Sequence, residues 1–225
     1  MTATHVLVPV KALGLAKSRL ADSFDPRARA ALVLAMLRDT VTAALLAGDV
    51  SVTVVTVDAR VADTARDCGA HVFPDPVSPG ADDPLNEALR AAARHVRERR
   101  RDAELVALQA DLPALRSDEF GRAREAARRA GLAVVSDHTS RGTTALLHCT
   151  PGTMPPFFFG PDSALRHLRA GAYEVPDPLP GLRLDVDTLD DLAGAHRLGV
   201  GDATARVLNE LGFEVPSPAR ENLSS

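Results

Sequence analysis

Cysteine is scarce in this sequence: the 225 residues contain two, Cys68 and Cys149, which lie far apart along the chain. Neither has the spacing of a metal knuckle or a redox pair, so we expect two reduced thiols in a cytoplasmic protein. Long apolar runs are absent as well. No stretch approaches the roughly 20 apolar residues that span a bilayer, and the N-terminal run is too short for a signal peptide. The sequence therefore predicts no contact with a membrane.

A strong charge of either sign is also missing. The formal net charge is −4, which gives no general reason to expect a nucleic-acid partner. The basic run RERRR at 97–101 is typical of the solvated end of a helix, where cations suit the helix dipole. Hydrophobic residues make up 45% of the chain and charged residues 25%, as is usual for a globular protein. The length suits one large domain.

Short apolar runs alternate with helical patterns along the chain. The runs of strand length span 5–10, 50–57, 70–74, 104–109, 132–137, 144–149 and 182–186. Such alternation predicts crossover connections and a mostly parallel sheet with helices on both faces. We therefore predict one doubly wound α/β domain over 1–213, with a less regular insert at about 138–180. A flexible tail is expected over 214–225, where the composition is rich in proline and serine.

Several helix ends are marked by their residues. Asp25-Pro26 and Asp83-Pro84 each place a capping acid before a first-turn proline. Ser117 is expected to open a helix that Gly131 closes. Thr188, followed three residues later by Asp191, predicts a capping box at the start of another helix. These signals give the predicted sheet its connecting helices.

The two common glycine-rich phosphate motifs are absent. Neither a Walker G-x-x-x-x-G-K-[ST] nor a dinucleotide G-x-G-x-x-G occurs, which disfavours a P-loop NTPase. The loop after the first strand, VKALGLAKSRLA at 10–21, instead carries Lys11, Lys17 and Arg19 around Gly14. Its N–H groups and cations can wrap a polyphosphate, and the alternative is a generic basic surface loop.

Three acids follow predicted strands. Asp111 comes after the strand 104–109, and Asp185 and Asp187 are expected to share one face of the strand around 182–186. In an open parallel sheet, ligands bind beyond the carboxyl ends of the strands, so these acids are expected to converge there. Three adjacent carboxylates are costly without a cation, which favours Mg²⁺ bridging phosphates and nucleotidyl or phosphoryl transfer. Aspartates that only form turns or caps are the alternative.

The segment Gly160-Pro161-Asp162-Ser163 is expected to open a helix. Its free N–H groups and the Ser163 hydroxyl can receive a small anion, or Asp162 or Ser163 merely caps the helix. His71 and His167 have no partner at ligand spacing in the sequence. We therefore interpret both histidines as structural.

Six segments together resemble a known family, the guanylyltransferases of deazaflavin coenzyme F-420 biosynthesis, which join GMP to 2-phospholactate or phosphoenolpyruvate. They occur in the family order and span nearly the whole chain except the tail. The resemblance implies a Rossmann-type fold similar to that of the sugar-nucleotide nucleotidyltransferases. The segments are VPVKALGLAKSRLA, DDPLNEAL (82–89), LQADLPAL, GTTALL (142–147), FGPDSALRHL and GLRLDVDTLDDL.

The resemblance also implies roles for the charged residues. The Mg²⁺ ligands would be Asp111, Asp185 and Asp187. The GTP phosphates would bind Lys11, Lys17 and Arg19. The residues with catalytic roles would be Asp111, Lys11 and Lys17.

Further residues are implied for the nucleoside and the acceptor. The nucleoside would lie near Pro84 and Asn86. The phosphoenolpyruvate-like acceptor would be held by Thr144, Gly160 and Ser163. Ala110 departs from the glycine expected between Gln109 and Asp111, at a position where nucleotide backbone contact is close.

These roles imply that the acceptor phosphate attacks the α-phosphorus of GTP and that pyrophosphate leaves toward the basic loop. No general base is needed, because a phosphate monoester is already ionised at neutral pH. The Ala/Arg-rich chain resembles the bacterial branch of the family most, which favours phosphoenolpyruvate over 2-phospholactate or 3-phosphoglycerate. A metal-dependent glycosyltransferase is one alternative, since DVD fits a D-x-D pattern, and a non-catalytic nucleotide-binding regulator is another.

Overall fold

A seven-stranded sheet organises the chain, for which the computed structural model describes residues 3–15, 17–76 and 80–214. Its spatial order is β3-β2-β1-β4-β6-β5-β7, and β6 runs antiparallel to both of its neighbours while the other pairs are parallel. The predicted α/β fold with a mostly parallel sheet is confirmed. The strands are β1 (Thr4–Pro9), β2 (Val50–Thr56), β3 (His71–Pro74), β4 (Glu104–Leu108), β5 (Leu132–Ser136), β6 (Thr143–His148) and β7 (Tyr173–Glu174).

Helices cover both faces of this sheet, as predicted. Along β1, Val6 and Val8 belong to one apolar core and Leu7 to the other, because successive strand residues point to opposite faces. The first core is closed mainly by α1, α2, α4 and α8, and the second by α3. The helices are α1 (Pro26–Leu46), α2 (Ala59–Asp67), α3 (Pro84–Arg99), α4 (Ser117–Ala130), α5 (Ser163–Arg169), α6 (Pro180–Arg183), α7 (Leu189–Leu198) and α8 (Asp202–Glu210).

The predicted helix ends are confirmed in part. Asp25 caps α1 by accepting the Ala28 N–H at 2.8 Å, and Thr188 forms the capping box with Asp191. Helix α4 begins at Ser117 and is closed by Gly131 at φ +81°, but its N-cap is Arg116, without a side-chain cap. Asp83 precedes α3 without capping it, because its carboxylate accepts hydrogen bonds from side chains of that helix instead.

The segment 182–186 was predicted as a strand, and this prediction is wrong. Pro180–Arg183 form the short helix α6, and the chain then continues without helix to the N-cap of α7. The cause is a contact with a distant part of the chain: a Cβ at Gly181 would overlap the carbonyl oxygen of Ala114, and the Gly181 N–H donates to Glu119 at 3.2 Å. Close packing against these two groups favours a helical turn where the alternation of apolar residues suggested a strand.

The acidic residues nevertheless reach the end of the sheet. The N–H of Val186 donates to the carbonyl oxygen of Asp111 at 3.0 Å, just beyond the last residue of β4. The segment therefore crosses the carboxyl end of β4 instead of joining the sheet. Asp185 and Asp187 flank this hydrogen bond, so they lie near Asp111 as expected, although no strand carries them.

Residues 138–180 contribute to the same sheet as the rest of the chain. They contain β6, which lies between β4 and β5 and is buried along its length, together with α5 and the edge strand β7. Most of the predicted tail, 215–225, lies outside the described residues. Cys68 and Cys149 are free thiols, as predicted. Among the helices of the described ranges, none has the length and apolar character to cross a membrane.

An ionic network closes the amino-terminal edge of the sheet. Glu104, at the start of β4, is 5% exposed and accepts two bonds from Arg128, at 2.6 and 3.0 Å. The Thr4 hydroxyl donates to the same carboxylate at 2.6 Å and accepts bonds from the buried Arg124. Burial alone would raise the pKa of Glu104, but its bonds to Arg128 and Thr4 hold that pKa below its usual range. The charged form of Glu104 therefore stabilises the fold.

We predict that Glu104→Gln lowers the free energy of unfolding by about 3 kcal/mol at pH 7, because it leaves the buried Arg124 and the partly exposed Arg128 without their counter-charge. Since the folded pKa is the lower one, this contribution is present above the unfolded pKa of about 4.3 and is lost as the pH falls through the folded pKa. Urea unfolding of the wild-type protein and of Glu104→Gln should show a difference in the free energy of unfolding that is constant between about pH 8 and 5 and becomes smaller at lower pH. Equal stabilities at neutral pH would contradict the role of this network.

Candidate active site

The loops that carry the predicted site residues lie at the C-terminal ends of the parallel strands, a region that we call the carboxyl edge of the sheet. Strands β1, β4 and β5 end at this edge, and β6 begins there because it runs in the opposite direction. The Gln109 N–H donates to the carbonyl oxygen of Thr144 at 2.9 Å, so the end of β4 and the start of β6 are in contact. One end of the central strands is therefore surrounded by segments 10–15, 17–21, 109–116, 137–142 and 184–187.

The basic loop is held in a defined conformation. It contains two short 3₁₀ turns, Leu13–Leu15 and Ser18–Leu20. The Leu13 N–H donates to Asp58 at 3.0 Å, and the same carboxylate caps α2. Lys17 adopts a left-handed backbone conformation with φ +55°, which is uncommon outside glycine. This conformation accompanies a side chain that is directed into the site and only 10% exposed.

The ammonium group of Lys17 joins two of the predicted acids. Its Nζ donates to Oδ2 of Asp111 and, at 2.8 Å, to Oδ1 of Asp187. Burial alone would lower the pKa of Lys17, but the Asp111 and Asp187 carboxylates outweigh burial and raise it. Burial likewise would raise the pKa of Asp187, and Lys17 instead holds it below its usual range. Lys17 and Asp187 are therefore both charged at neutral pH.

Asp185 lies beside this group without bonding to Lys17. Burial, followed by the neighbouring carboxylates of Asp111, Asp187 and Asp137, raises the pKa of Asp185 to about 7. His138 lies on its other side, with Nδ1 3.8 Å from Oδ1 of Asp185. The site thus holds more negative charge than Lys17 alone can balance, which is a favourable environment for a further cation.

The donor atoms at this edge fit a hard cation such as Mg²⁺. Oδ1 of Asp111 is buried and has no hydrogen-bond partner, so one oxygen is already turned away from Lys17. Within residues 3–15, 17–76 and 80–214, no group of three or more His, Cys, Asp or Glu side chains is placed to hold an ion on its own. Mg²⁺ commonly takes one or two protein carboxylates and completes its shell with phosphate oxygens and water. The open arrangement of Asp111, Asp185 and Asp187 suits that kind of binding.

The other two predicted cations lie at the surface. Lys11 and Arg19 are both exposed, and Arg19 is close enough to Asp187 to contribute to the lowering of its pKa. The basic loop therefore presents one buried ammonium group at the acids and two exposed cations around it.

The predicted nucleoside residues begin α3. Pro84 is the first residue of that helix, and Asn86 is 2% exposed. The Asn86 amide donates to Asp83 at 2.6 Å and to the Phe159 carbonyl at 3.0 Å, and its oxygen accepts the Phe159 N–H at 2.8 Å. Asn86 therefore fastens the segment that precedes Gly160 to α3, a role that its sequence position did not reveal.

The predicted acceptor residues lie at the start of β6 and of α5. Thr144 is fully buried, and its hydroxyl donates to the Val135 carbonyl at 3.3 Å. Gly160 is exposed with φ +119°, a conformation that other residues rarely adopt. Ser163 is 2% exposed, and its hydroxyl lies 3.1 Å from Oγ1 of Thr143.

Capping does not account for the Gly160–Ser163 segment. Asp162 is the N-cap residue of α5, but it makes no cap bond and pairs with Arg141 at 3.1 Å instead. Of the two earlier interpretations, a cap formed by Asp162 or Ser163 is therefore wrong. The expectation that the N–H groups of this segment are free is also wrong in part, because those of Ser163 and Ala164 donate to the carbonyl oxygens of Gly160 at 3.2 Å and Arg141 at 3.1 Å. Anion binding by the Ser163 hydroxyl stays a prediction.

Sequence reasoning missed several residues that support the site. Asp137 follows β5 as Asp111 follows β4, and its carboxylate accepts the N–H groups of Thr139, Arg141 and Gly142, which closes the turn before β6. Its position at a strand end was the signal that could have identified it. His167 bonds to Thr143 at 3.0 Å, and its position four residues after Ser163 on a helix placed both on one face.

Known proteins are similar to this chain in both sequence and fold. The family model described as "Guanylyl transferase CofC like" matches residues 4–223. Phosphoenolpyruvate guanylyltransferase of Nocardia farcinica is 52% identical over 221 residues, covering 97% of each chain. The protein of the same name from Rhodococcus opacus is 51% identical over 223 residues, covering 95% of this chain and 93% of its own.

Solved structures agree at the level of the fold. A putative nucleotide-diphospho-sugar transferase from Desulfovibrio desulfuricans superimposes with a TM-score of 0.71 at 18% identity, covering 94% of this chain and 97% of its own. A nucleotidyl transferase from Methanothermobacter superimposes with a TM-score of 0.54 at 16% identity, covering 93% of this chain and 100% of its own. The nucleotidyltransferase fold predicted from the sequence is thereby confirmed. The family match and the relatives of about half identity show that this chain belongs to the CofC-like guanylyl transferase family.

Proposed function

We propose that this chain transfers GMP from GTP to the phosphate of phosphoenolpyruvate and releases pyrophosphate, as a step in coenzyme F-420 biosynthesis. The observation that carries the proposal is the Lys17 ammonium group, which lies with Asp111 and Asp187 at the carboxyl edge of the sheet. The names of relatives that are about half identical support phosphoenolpyruvate as the acceptor, in preference to 2-phospholactate. The two free thiols support a cytoplasmic location.

The charges at the sheet edge suit a triphosphate. Lys17 would bind the phosphates from within the site, and the exposed Lys11 and Arg19 would neutralise the departing pyrophosphate. Asp111, Asp185 and Asp187 would hold Mg²⁺, which when bound supplies further neutralisation of the phosphate charge. Positioning and charge neutralisation are sufficient for this chemistry, so no covalent intermediate with the protein is required.

The acceptor supplies its own nucleophile. A phosphate monoester has a second pKa of about 6 and is largely a dianion at neutral pH, so no side chain needs to remove a proton. One of its oxygens attacks the α-phosphorus of GTP in line, and the bond from that phosphorus to the oxygen bridging to the β-phosphate breaks. We expect Thr144, Gly160 and Ser163 to orient the acceptor, and Pro84 and Asn86 to shape the nucleoside side.

Two alternatives are less well supported. A glycosyltransferase would also use the D-x-D acids, but relatives matched over nearly the whole length are named as guanylyltransferases. A non-catalytic regulator would have no need for three acids gathered around a buried lysine at one edge. The arrangement of Lys17 with Asp111 and Asp187 therefore favours the enzyme.

Pyrophosphate release tests the proposed reaction directly. With GTP, Mg²⁺ and phosphoenolpyruvate, we expect pyrophosphate and a guanylylated product in equal amounts, and little release when phosphoenolpyruvate is omitted. The same assay with 2-phospholactate and 3-phosphoglycerate should give lower kcat/KM. Release only from a sugar phosphate, or GTP binding without any release, would contradict the proposal.

We predict that Asp187→Asn lowers kcat by about 100-fold or more, because it removes charge from the proposed metal and phosphate site. Its side chain is 52% exposed, so the melting temperature should change little. Asp190→Asn is the matched control, since Asp190 is exposed in the first turn of α7 and lies three residues away. Equal activity of both variants at saturating Mg²⁺ would exclude Asp187 from the site.

Replacement of Lys17 tests the nucleotide side. We predict that Lys17→Ala raises the Kd for GTP by about tenfold or more and slows turnover, while the KM for phosphoenolpyruvate changes less than about twofold. Titration with GTP and steady-state kinetics measure the two effects separately. Arg27→Ala, which removes an exposed cation at the start of α1, controls for the loss of one positive charge. A change confined to phosphoenolpyruvate would mean that the loop binds the acceptor.

A further inference from the structure

Three buried side chains form a hydrogen-bonded chain beneath the Gly160–Ser163 segment. The Ser163 hydroxyl lies 3.1 Å from Oγ1 of Thr143, and that oxygen lies 3.0 Å from Nδ1 of His167. Their exposed fractions are 2%, 5% and 0% for Ser163, Thr143 and His167. The chain connects the start of β6 with the first and fifth residues of α5. Ser163 is already expected to orient the acceptor, but Thr143 and His167 have no role in the proposed reaction.

The protonation of His167 follows from its partners. The Phe158 N–H donates to Nε2 at 3.1 Å, so Nε2 carries no proton and the single N–H of a neutral ring is at Nδ1. Burial, and then the nearby Arg166, lower the pKa of His167 to about 4, so the ring is neutral at the pH of the reaction. Nδ1–H therefore faces Oγ1 of Thr143, which can accept it, and it also contacts the backbone of Ser163.

The hydrogen bond from His167 to Thr143 leaves the Ser163 hydroxyl proton free to face a ligand. Because Thr143 accepts from His167, its own hydroxyl proton is available to Ser163, and either hydroxyl can supply the proton between them. When Thr143 donates, Ser163 can turn its proton to an anion while its oxygen stays bonded to Thr143. His167 thus makes Ser163 a donor without loss of a buried hydrogen bond.

The same imidazole also fixes the backbone of the acceptor segment. His167 holds the N–H of Phe158, and Asn86 holds the N–H and carbonyl of Phe159, immediately before Gly160. The His167 ring also packs edge-on against Phe159, with centroids 5.2 Å apart. The segment is therefore held from α3 on one side and from α5 on the other.

We propose that Thr143 and His167 are positioning residues for the phosphorylated acceptor, which direct the Ser163 hydroxyl as a hydrogen-bond donor and hold Gly160 in place. The inference rests on the proposed function, because it assigns these residues to the acceptor side of that reaction. It gives His167, which the sequence suggested was structural, a part in recognition of a phosphate- and carboxylate-bearing substrate.

Substitution of Thr143 tests the inference. Thr143→Val keeps the shape but removes the central hydroxyl, and it should raise the KM for phosphoenolpyruvate by about tenfold with the KM for GTP within about twofold of wild type. Thr143→Ser keeps the hydroxyl and should restore the wild-type value. In a Ser163→Ala background, Thr143→Val should add little further change, because Thr143 acts through Ser163.

A second buried imidazole provides the control for packing. His148 is the last residue of β6, the strand that Thr143 begins, so it lies at the opposite end of the strand from the site. It is 5% exposed and bonds through Nε2 to Thr153 at 3.0 Å. His148→Phe and His167→Phe should both lower the melting temperature, but only His167→Phe should raise the KM for phosphoenolpyruvate. Equal KM values for the two variants, or an equal change for GTP, would overturn the inference.

The wild-type protein gives a measurement that does not depend on folding of the variants. Imidazole ¹⁵N spectra should show His167 protonated at Nδ1, with that signal shifting when phosphoenolpyruvate is added. A proton at Nε2 would overturn the inference. Absence of wild-type turnover with GTP and phosphoenolpyruvate would instead refute the proposed function. Wild-type turnover with an unchanged KM in Thr143→Val would refute only the role of the hydrogen-bonded chain.

Discussion

The contact of the Lys17 ammonium group with Asp111 and Asp187 is the interaction on which the candidate site depends. A lysine that is only 10% exposed is unfavourable unless its charge is paired, and the two carboxylates supply that pairing. The pairing leaves two acidic groups unsatisfied, because Oδ1 of Asp111 is buried without a hydrogen-bond partner and Asp185 stands next to the carboxyl groups of Asp111 and Asp187 without bonding to Lys17. This excess of acidic groups is what the proposed binding of Mg²⁺ and a triphosphate would require.

The sheet topology brings the remaining residues to this pair. Because β6 is reversed, its first residues lie beside the end of β4, and Thr143 is placed between the acidic edge and α5. The hydrogen bond from Val186 to Asp111 then draws the acidic segment across the same edge. Distant parts of the sequence therefore contribute the basic loop, the acids and the Gly160–Ser163 segment, as is usual at the carboxyl ends of strands in open α/β sheets.

Much of this could be predicted from local signals. The caps at Asp25 and Thr188 depend on residues three positions apart, and the strands of the parallel part are continuous apolar runs. The acids around Val186 were assigned to the wrong element because close packing of Gly181 against Ala114 is a contact between distant residues that alternation of apolar side chains does not reveal. His167 was interpreted as structural for a similar reason. Its partner Thr143 lies 24 residues away, and their proximity depends on the position of β6 in the sheet.

The composition of the chain allows the central contact to be observed directly. Its only two lysines are Lys11 and Lys17, so ¹⁵N-lysine labelling gives two Nζ signals, and Lys11→Arg assigns them. We predict that the Lys17 signal is protected from exchange with water, because the ammonium group is buried and paired, and that it shifts on addition of GTP and not of phosphoenolpyruvate alone. A Lys17 signal that exchanges as fast as that of Lys11 and does not respond to GTP would show that Lys17 is neither paired with the acids nor part of the GTP site.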